Sequence, residues 1–165
     1  MRILSVTFAA VVFLLVGVAT AQAPAKPAPV GTLVEVMRGI MYDNSNKIFD
    51  VQKGPPKDDG TVYTGWTSIE SSAMAIAEAA TNLVTVPGRL CSNGQPVPLN
   101  QPDFIKAAAA VREAALASYK AAKAKDQEAV AKSTDDLTDA CDACHSVYRD
   151  VAGGVPNRCK IPAKK

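Results

Sequence analysis

The 165-residue sequence has one histidine, few aromatic residues and almost no net charge. Aromatic side chains make up 5% of the residues, and clusters of β-branched residues are rare, whereas alanine is abundant. This composition favours helices over β-sheet. A formal net charge of +2 indicates neither a nucleic-acid-binding protein nor one that binds acidic lipid.

Missing motifs exclude several kinds of functional site. The sequence has no second histidine and no second Cys-x-x-Cys, so a zinc site would lack its fourth ligand. A thioredoxin-like redox pair would need a βαβ pattern, which is absent. No carboxylate pair or serine–histidine set converges, and Asp135, Asp136 and Asp139 indicate a solvated helix face. We therefore expect a protein that is not an enzyme.

The N-terminal residues follow the pattern of a secretory signal peptide. Arg2 precedes the apolar run ILSVTFAAVVFLLVGV, and the small-residue triplet ATA follows it. Cleavage after Ala21 assigns residues 1–21 to a signal peptide and residues 22–29 to a Pro/Ala-rich linker. We then expect a periplasmic protein without stable membrane insertion. The apolar run is also long enough for an uncleaved anchor, and either way the folded part is exported.

Apolar spacing predicts four amphipathic helices. They cover about residues 30–51, 64–85, 102–124 and 126–152. Asp126 is placed to cap the fourth helix, and Gly153 and Gly154 are placed to end it. Mostly short connections predict an all-α fold, an antiparallel up-down-up-down four-helix bundle over residues 30–152, with residues 153–165 as a C-terminal tail.

The stretch CDACHSVYR contains the one histidine directly after a Cys-x-x-Cys pair. The pattern C-x-x-C-H is the attachment signature of a c-type haem. On a helix, Cys141, Cys144 and His145 share one face. Two thiols can then add to the haem vinyl groups while the imidazole ligates the iron. The sequence predicts one covalently attached haem c, with Cys141 and Cys144 as thioether anchors and His145 as the proximal iron ligand.

From about residue 30 to 152 the sequence resembles the class II c-type cytochromes, the cytochrome c′ family. The resemblance rests on CDACHSVYR and on the first-helix stretch VMRGIMYDNSNKIFD. It implies an exported four-helix bundle with the haem near the C-terminus of the last helix. It also implies redox partner proteins and the haem-ligation machinery as partners, and it allows a homodimer. The long loop around Cys91 and the tail VPNRCKIPAKK depart from the family's simplest members.

The group opposite His145 decides the function, because a methionine there makes an electron-transfer haem, whereas an open or apolar site admits small gases. In an antiparallel bundle the level of His145 matches a point near Met37 on the first helix, and Met41 lies one turn, about 5 Å, farther away. Low-spin family members also ligate through a first-helix methionine at the position of Met37. The sequence therefore predicts Met37 as the distal iron ligand, and the other interpretation is a flexible core filler.

The leading hypothesis is an exported monohaem cytochrome that carries single electrons through a His/Met-ligated haem. The alternative is a five-coordinate cytochrome c′-type protein that binds small gases such as NO and CO. A peroxidase-like or nitrite-handling enzyme would need a distal acid–base group, and the one histidine is already committed.

Arginines are candidates for contact with the haem propionates. Arg149 follows His145 by one turn on the same face and could pair with a propionate. The other interpretation is a solvated cation at the helix end. Weaker candidates are Arg38, Arg89 and Arg158.

Cys91 and Cys159 follow the second and fourth helices, which end at the same end of an up-down bundle. We expect a disulfide between them. Closing so long a loop would stabilise the fold by about 4 kcal/mol in the chain-entropy model, and it would hold the loop and the tail beside the haem.

Overall fold

The computed structural model describes residues 28–160, and within them the chain forms four long helices and no β-strand. Helix α2 covers Gly65–Asn82, α3 covers Pro102–Lys123 and α4 covers Gln127–Tyr148. Helix α1 covers residues 33–53 in four consecutive segments, namely α-helical Leu33–Val36, π-helical Met37–Tyr42, α-helical Asp43–Phe49 and 3-10 Asp50–Lys53. The predicted signal peptide and residues 161–165 lie outside the described residues. None of the helices in the described part is long and apolar enough to span a membrane.

The helices form the predicted antiparallel bundle. Helix α1 contacts α2 and α4, and α3 contacts the same two helices. At the end of α1, the side chain of Gln52 donates a hydrogen bond to the hydroxyl of Thr134. Nearby, Nε2 of Gln127 donates to the carbonyl of Val51 at 3.3 Å. The end of α1 therefore meets the beginning of α4, and the all-α four-helix bundle is confirmed.

The start of α4 follows the prediction. Asp126 is its N-cap, and its Oδ1 accepts a hydrogen bond from the backbone N–H of Ala129 at 2.9 Å. This satisfies one of the N–H groups that a helix start leaves without a partner.

The first two helices are shorter at one end than predicted. Helix α1 begins at Leu33 because Thr32 adopts an extended conformation, and the Glu35 carboxylate accepts hydrogen bonds from the N–H and hydroxyl of Thr32. Helix α2 ends at Asn82 instead of residue 85, and residues 83–85 form a turn.

Helix α4 ends at Tyr148, before the predicted residue 152. The N–H groups of Arg149 and Asp150 both donate to the carbonyl of His145, at 2.9 and 2.7 Å, which closes the last turn. The carbonyl of Tyr148 accepts a hydrogen bond from the N–H of Cys159 at 2.9 Å. The returning tail therefore supplies a partner that the helix end needs.

The two glycines beyond α4 turn the chain and do not end the helix. Gly153 has a φ of 85° and Gly154 a φ of 68°, which side chains rarely allow. A Cβ atom on Gly153 would also collide with the side-chain amide of Asn157. Glycine at this position lets the tail reverse towards the bundle.

The two ends of the bundle have different interiors. At the end where α1 finishes and α2 begins, which we call the closed end, buried side chains pack directly; they include Ile48, Val51, Ile69, Ala122 and Val130. At the other end, which we call the cavity end, a second cluster contains Val36, Val84, Cys91, Phe104 and Tyr148.

Candidate haem site

Cys141, Cys144 and His145 lie on the last two turns of α4, at the cavity end. All three side chains are half-buried, and both thiols are free. They line one cavity, as the helical spacing of three and four residues requires. The predicted thioether anchors and the predicted proximal ligand are thus brought together on one wall.

Burial sets the protonation of these groups. It raises the pKa of the Cys144 thiol to about 11 and also raises the pKa of Cys141. Burial, followed by the nearby guanidinium of Arg149, lowers the pKa of His145. At neutral pH the thiols are therefore protonated and the imidazole is neutral, which is the form that ligates a metal.

The cavity has a volume of about 520 Å³, within the range of ligand pockets in proteins. All four helices contribute to its wall. Most of the wall is apolar and includes Leu33, Ile76, Val84, Phe104, Val111 and Leu137. The T-shaped contact of Phe104 with Tyr148, with ring centroids 5.2 Å apart, supports one side. Tyr148 itself lines the cavity.

The path of α1 leaves room for this cavity. Its last turns are tied to α4 by the Gln52–Thr134 and Gln127–Val51 hydrogen bonds. Its π-helical segment, Met37–Tyr42, instead contacts α2. A π segment inside an α-helix often marks a functional site. Apolar spacing predicts a regular helix here and gives no sign of the π segment; Gly39 in the helix interior is the one local signal.

Met37 and Met41 both line the cavity, but they pack at different levels. Met37 packs against the cavity-end cluster together with Cys144. Met41 packs against the closed-end cluster together with Cys141. Met37 therefore packs in the same cluster as the cysteine directly before His145, and Met41 in the same cluster as the cysteine four residues before it. Met74 does not belong to the described wall of the cavity.

The structure separates the arginine candidates. Arg149, Arg38 and Arg158 line the cavity. The guanidinium of Arg149 is held by both carboxylate oxygens of Asp150, at 2.7 and 2.6 Å, and the pair is exposed.

Arg89, one of the weaker candidates for a propionate contact, is bonded elsewhere. Its side chain is only 4% exposed and lies outside the cavity wall. Its guanidinium donates to the carbonyls of Leu83, Val30 and Gly31 at 2.6, 3.0 and 2.8 Å. Arg89 therefore clamps the chain before α1 to the end of α2, and no helical periodicity signals such a contact between two loops.

A disulfide joins Cys91 and Cys159, the pair that the sequence analysis expects. Their Cα atoms are 6.4 Å apart and 68 residues separate them in sequence. Both cysteines are buried and line the cavity. The bond thus holds the loop after α2 and the C-terminal tail against the site.

These residues fit a covalently attached haem. Two free thiols and one imidazole share one wall of a mainly apolar cavity, and the thioether of Met37 also lines this cavity. Within residues 28–160 no group of three or more His, Cys, Asp or Glu side chains is arranged to hold a metal ion by itself.

The fold and the site together fit a c-type haem protein built on a four-helix bundle. The family model for Cytochrome C' matches residues 97–149, which span α3, α4 and the C-x-x-C-H motif. This match covers 53 of the 165 residues and supports the resemblance to the class II c-type cytochromes, the cytochrome c′ family. The family implies a haem c cofactor. Comparisons with curated proteins and with solved structures found no match.

Proposed function

We propose that this protein is an exported carrier of single electrons with a His/Met-ligated haem. Cys141 and Cys144 form the two thioether bonds, His145 is the proximal ligand and Met37 is the distal ligand. When bound, the haem supplies one-electron chemistry, with a potential that methionine ligation raises. The protein turns over no substrate, and its partners are redox proteins and the machinery that attaches the haem.

The position of Met37 carries this proposal. It packs in the same cluster as Cys144 and lines the same cavity as His145. The surrounding wall is mainly apolar, so it withholds water from a bound haem, and a low-dielectric shell of this kind tunes a redox potential. Arg149 and Arg158 provide positive charge in the wall.

The gas-binding alternative differs only in the distal ligand. If Met37 were a core side chain alone, the distal side would be bounded by apolar groups, and a small gas could reach the iron. The two functions therefore make opposite predictions for absorption spectra.

Spectra of the purified holoprotein and of two variants test the choice. The unmutated protein should be low-spin in both oxidation states and should bind carbon monoxide poorly. Met37→Leu should become high-spin and bind carbon monoxide readily, because leucine has no donor atom. The matched control, Met41→Leu, removes the other cavity methionine and should stay low-spin. A high-spin unmutated protein, or loss of the low-spin spectrum in Met41→Leu alone, would contradict ligation by Met37.

Export also belongs to the proposal. The mature holoprotein from the periplasm should begin at Gln22 and exceed its polypeptide mass by one haem. N-terminal sequencing and intact mass measure both quantities. A retained N-terminus would indicate the anchor instead.

A further inference from the structure

The C-terminal tail is fixed at the cavity end by contacts on both sides of Arg158. On one side, the side-chain amide of Asn93 donates to the carbonyls of Pro156 and Arg158 at 3.1 and 2.8 Å. On the other side, Cys159 is bonded to Cys91. The backbone at Arg158 is therefore held by the loop after α2.

The side chain of Arg158 points into the wall of the cavity. It is half-buried, and its Nε donates to the carbonyl of Arg149 at 3.3 Å. In the described part of the chain, the two terminal nitrogens have no hydrogen-bond partner and no ion pair. The neighbouring carboxylate of Asp150 is already held by two nitrogens of Arg149.

The other arginines near this end differ from Arg158. The guanidinium of Arg89 donates its hydrogen bonds to backbone carbonyls, and Arg149 forms an ion pair with Asp150. Arg38 lines the cavity but is exposed on α1. Arg158 is therefore half-buried and held in place at its backbone, and the two terminal nitrogens of its guanidinium have no partner among the described residues. Two guanidinium nitrogens can donate a pair of hydrogen bonds to one carboxylate.

We propose that Arg158 binds a carboxylate of the group held in the cavity, and that the Cys91–Cys159 disulfide positions it to do so. The inference rests on the proposed function because it takes the group in the cavity to be haem. The carboxylates of haem are its two propionates. The role falls to a residue of the tail, which lies outside the region that matches the family model.

The inference has a redox consequence. If haem is held here, its reduction by one electron would lower the charge of the site by one. A guanidinium bonded to a propionate favours the more negative, reduced state. Arg158→Gln should therefore lower the reduction potential, shifting the ratio of oxidised to reduced protein about threefold to tenfold at a given applied potential; tenfold corresponds to about 59 mV for one electron.

Potentiometric titration of the holoprotein at one pH measures this shift. Arg158→Lys keeps the positive charge but lacks the planar guanidinium that can form two parallel hydrogen bonds. Its reduction potential should therefore lie between those of Arg158→Gln and the unmutated protein. Arg112→Gln is the matched control, because Arg112 lies on α3, outside the cavity wall, and pairs with Glu113 at 2.8 Å. It should leave the potential unchanged.

A double-mutant cycle tests the role of the disulfide. Cys91→Ser/Cys159→Ser should lower the potential as Arg158→Gln does, and adding Arg158→Gln should then change little, because residues acting through one contact are not additive. Full additivity would overturn the positioning role of the disulfide.

The contact itself would be overturned by the absence of a shift in Arg158→Gln. A shift that disappears in about 0.5 M salt, where unbonded charges are screened, would overturn it as well. The absorption spectra report axial ligation independently of this titration. A high-spin protein would contradict the proposed function, whereas the titration would still test the contact of Arg158.

Discussion

The closed end and the cavity end of this bundle are stabilised by different means. At the closed end, apolar side chains fill the interior, and Ile48, Ala115 and Val130 are completely buried. At the cavity end the interior is a space of about 520 Å³, and covalent and polar contacts hold the surrounding segments. The difference indicates that a bundle can keep a space at one end when a disulfide and part-buried hydrogen bonds hold the segments around it.

The largest expected effect is loss of the covalent cofactor. Replacing Cys141 and Cys144 by alanine removes both thiols that can form thioethers, so haem should be fully extractable from the variant. Haem staining after denaturing electrophoresis measures this. Cys91→Ser/Cys159→Ser should keep its haem stain; loss of the stain there as well would show that the two cysteine pairs do not have separate roles.

The next largest effect concerns the disulfide. Cys91→Ser/Cys159→Ser should lower the free energy of unfolding by about 4 kcal/mol, because the bond closes a loop of 68 residues in the unfolded chain. Denaturant unfolding of the holoprotein measures the change. Hydrogen exchange should accelerate most in the cavity-end loop and tail, and equal acceleration at the closed end would contradict a local role.

Removal of the Arg89 side chain should cost somewhat less. Arg89→Ala leaves the carbonyls of Leu83, Val30 and Gly31 without their charged donor, so we expect destabilisation by about 3 kcal/mol. Thermal and denaturant unfolding check this, with Arg112→Ala as the exposed control that should change stability little. Equal effects of the two variants would argue against the clamp.

The smallest effect lies at the closed end. Asp126→Ala removes the side-chain cap of α4 and should destabilise the protein by about 1 kcal/mol. Asp126→Asn is the control that keeps a capping oxygen and should recover most of the loss. Neither variant should change the absorption spectrum, since the cap lies at the opposite end from the cavity; a spectral change would show that the two ends are coupled.

Much of the fold was predictable because it follows from local patterns. The spacing of Ile69, Ile76 and Leu137 predicts inward helix faces, and all three are buried. Asp126 predicts the start of α4, which it caps. The helix ends were less predictable, since the last carbonyl of α4 finds its partner in the N–H of Cys159, which the returning tail supplies.

The candidate site divides in the same way. Cys141, Cys144 and His145 follow from a short motif whose spacing fixes one helix face. The relation of Met37 to His145 needed the bundle topology as well. The backbone contacts of Arg89 could not be predicted, because they join segments that no local pattern relates. Arg158 was one of several propionate candidates, and only the structure shows that it lines the cavity while Arg89 does not.

By itself the sequence determined the helices, the c-type haem motif and the cysteines available for bonding, since each depends on the spacing of neighbouring residues. Only the tertiary structure decided where α1 leaves α4 to form a cavity, and which arginines line that cavity and which are bonded elsewhere. These properties arise when distant segments share one space, and their energies depend on partners that proximity in the chain does not specify.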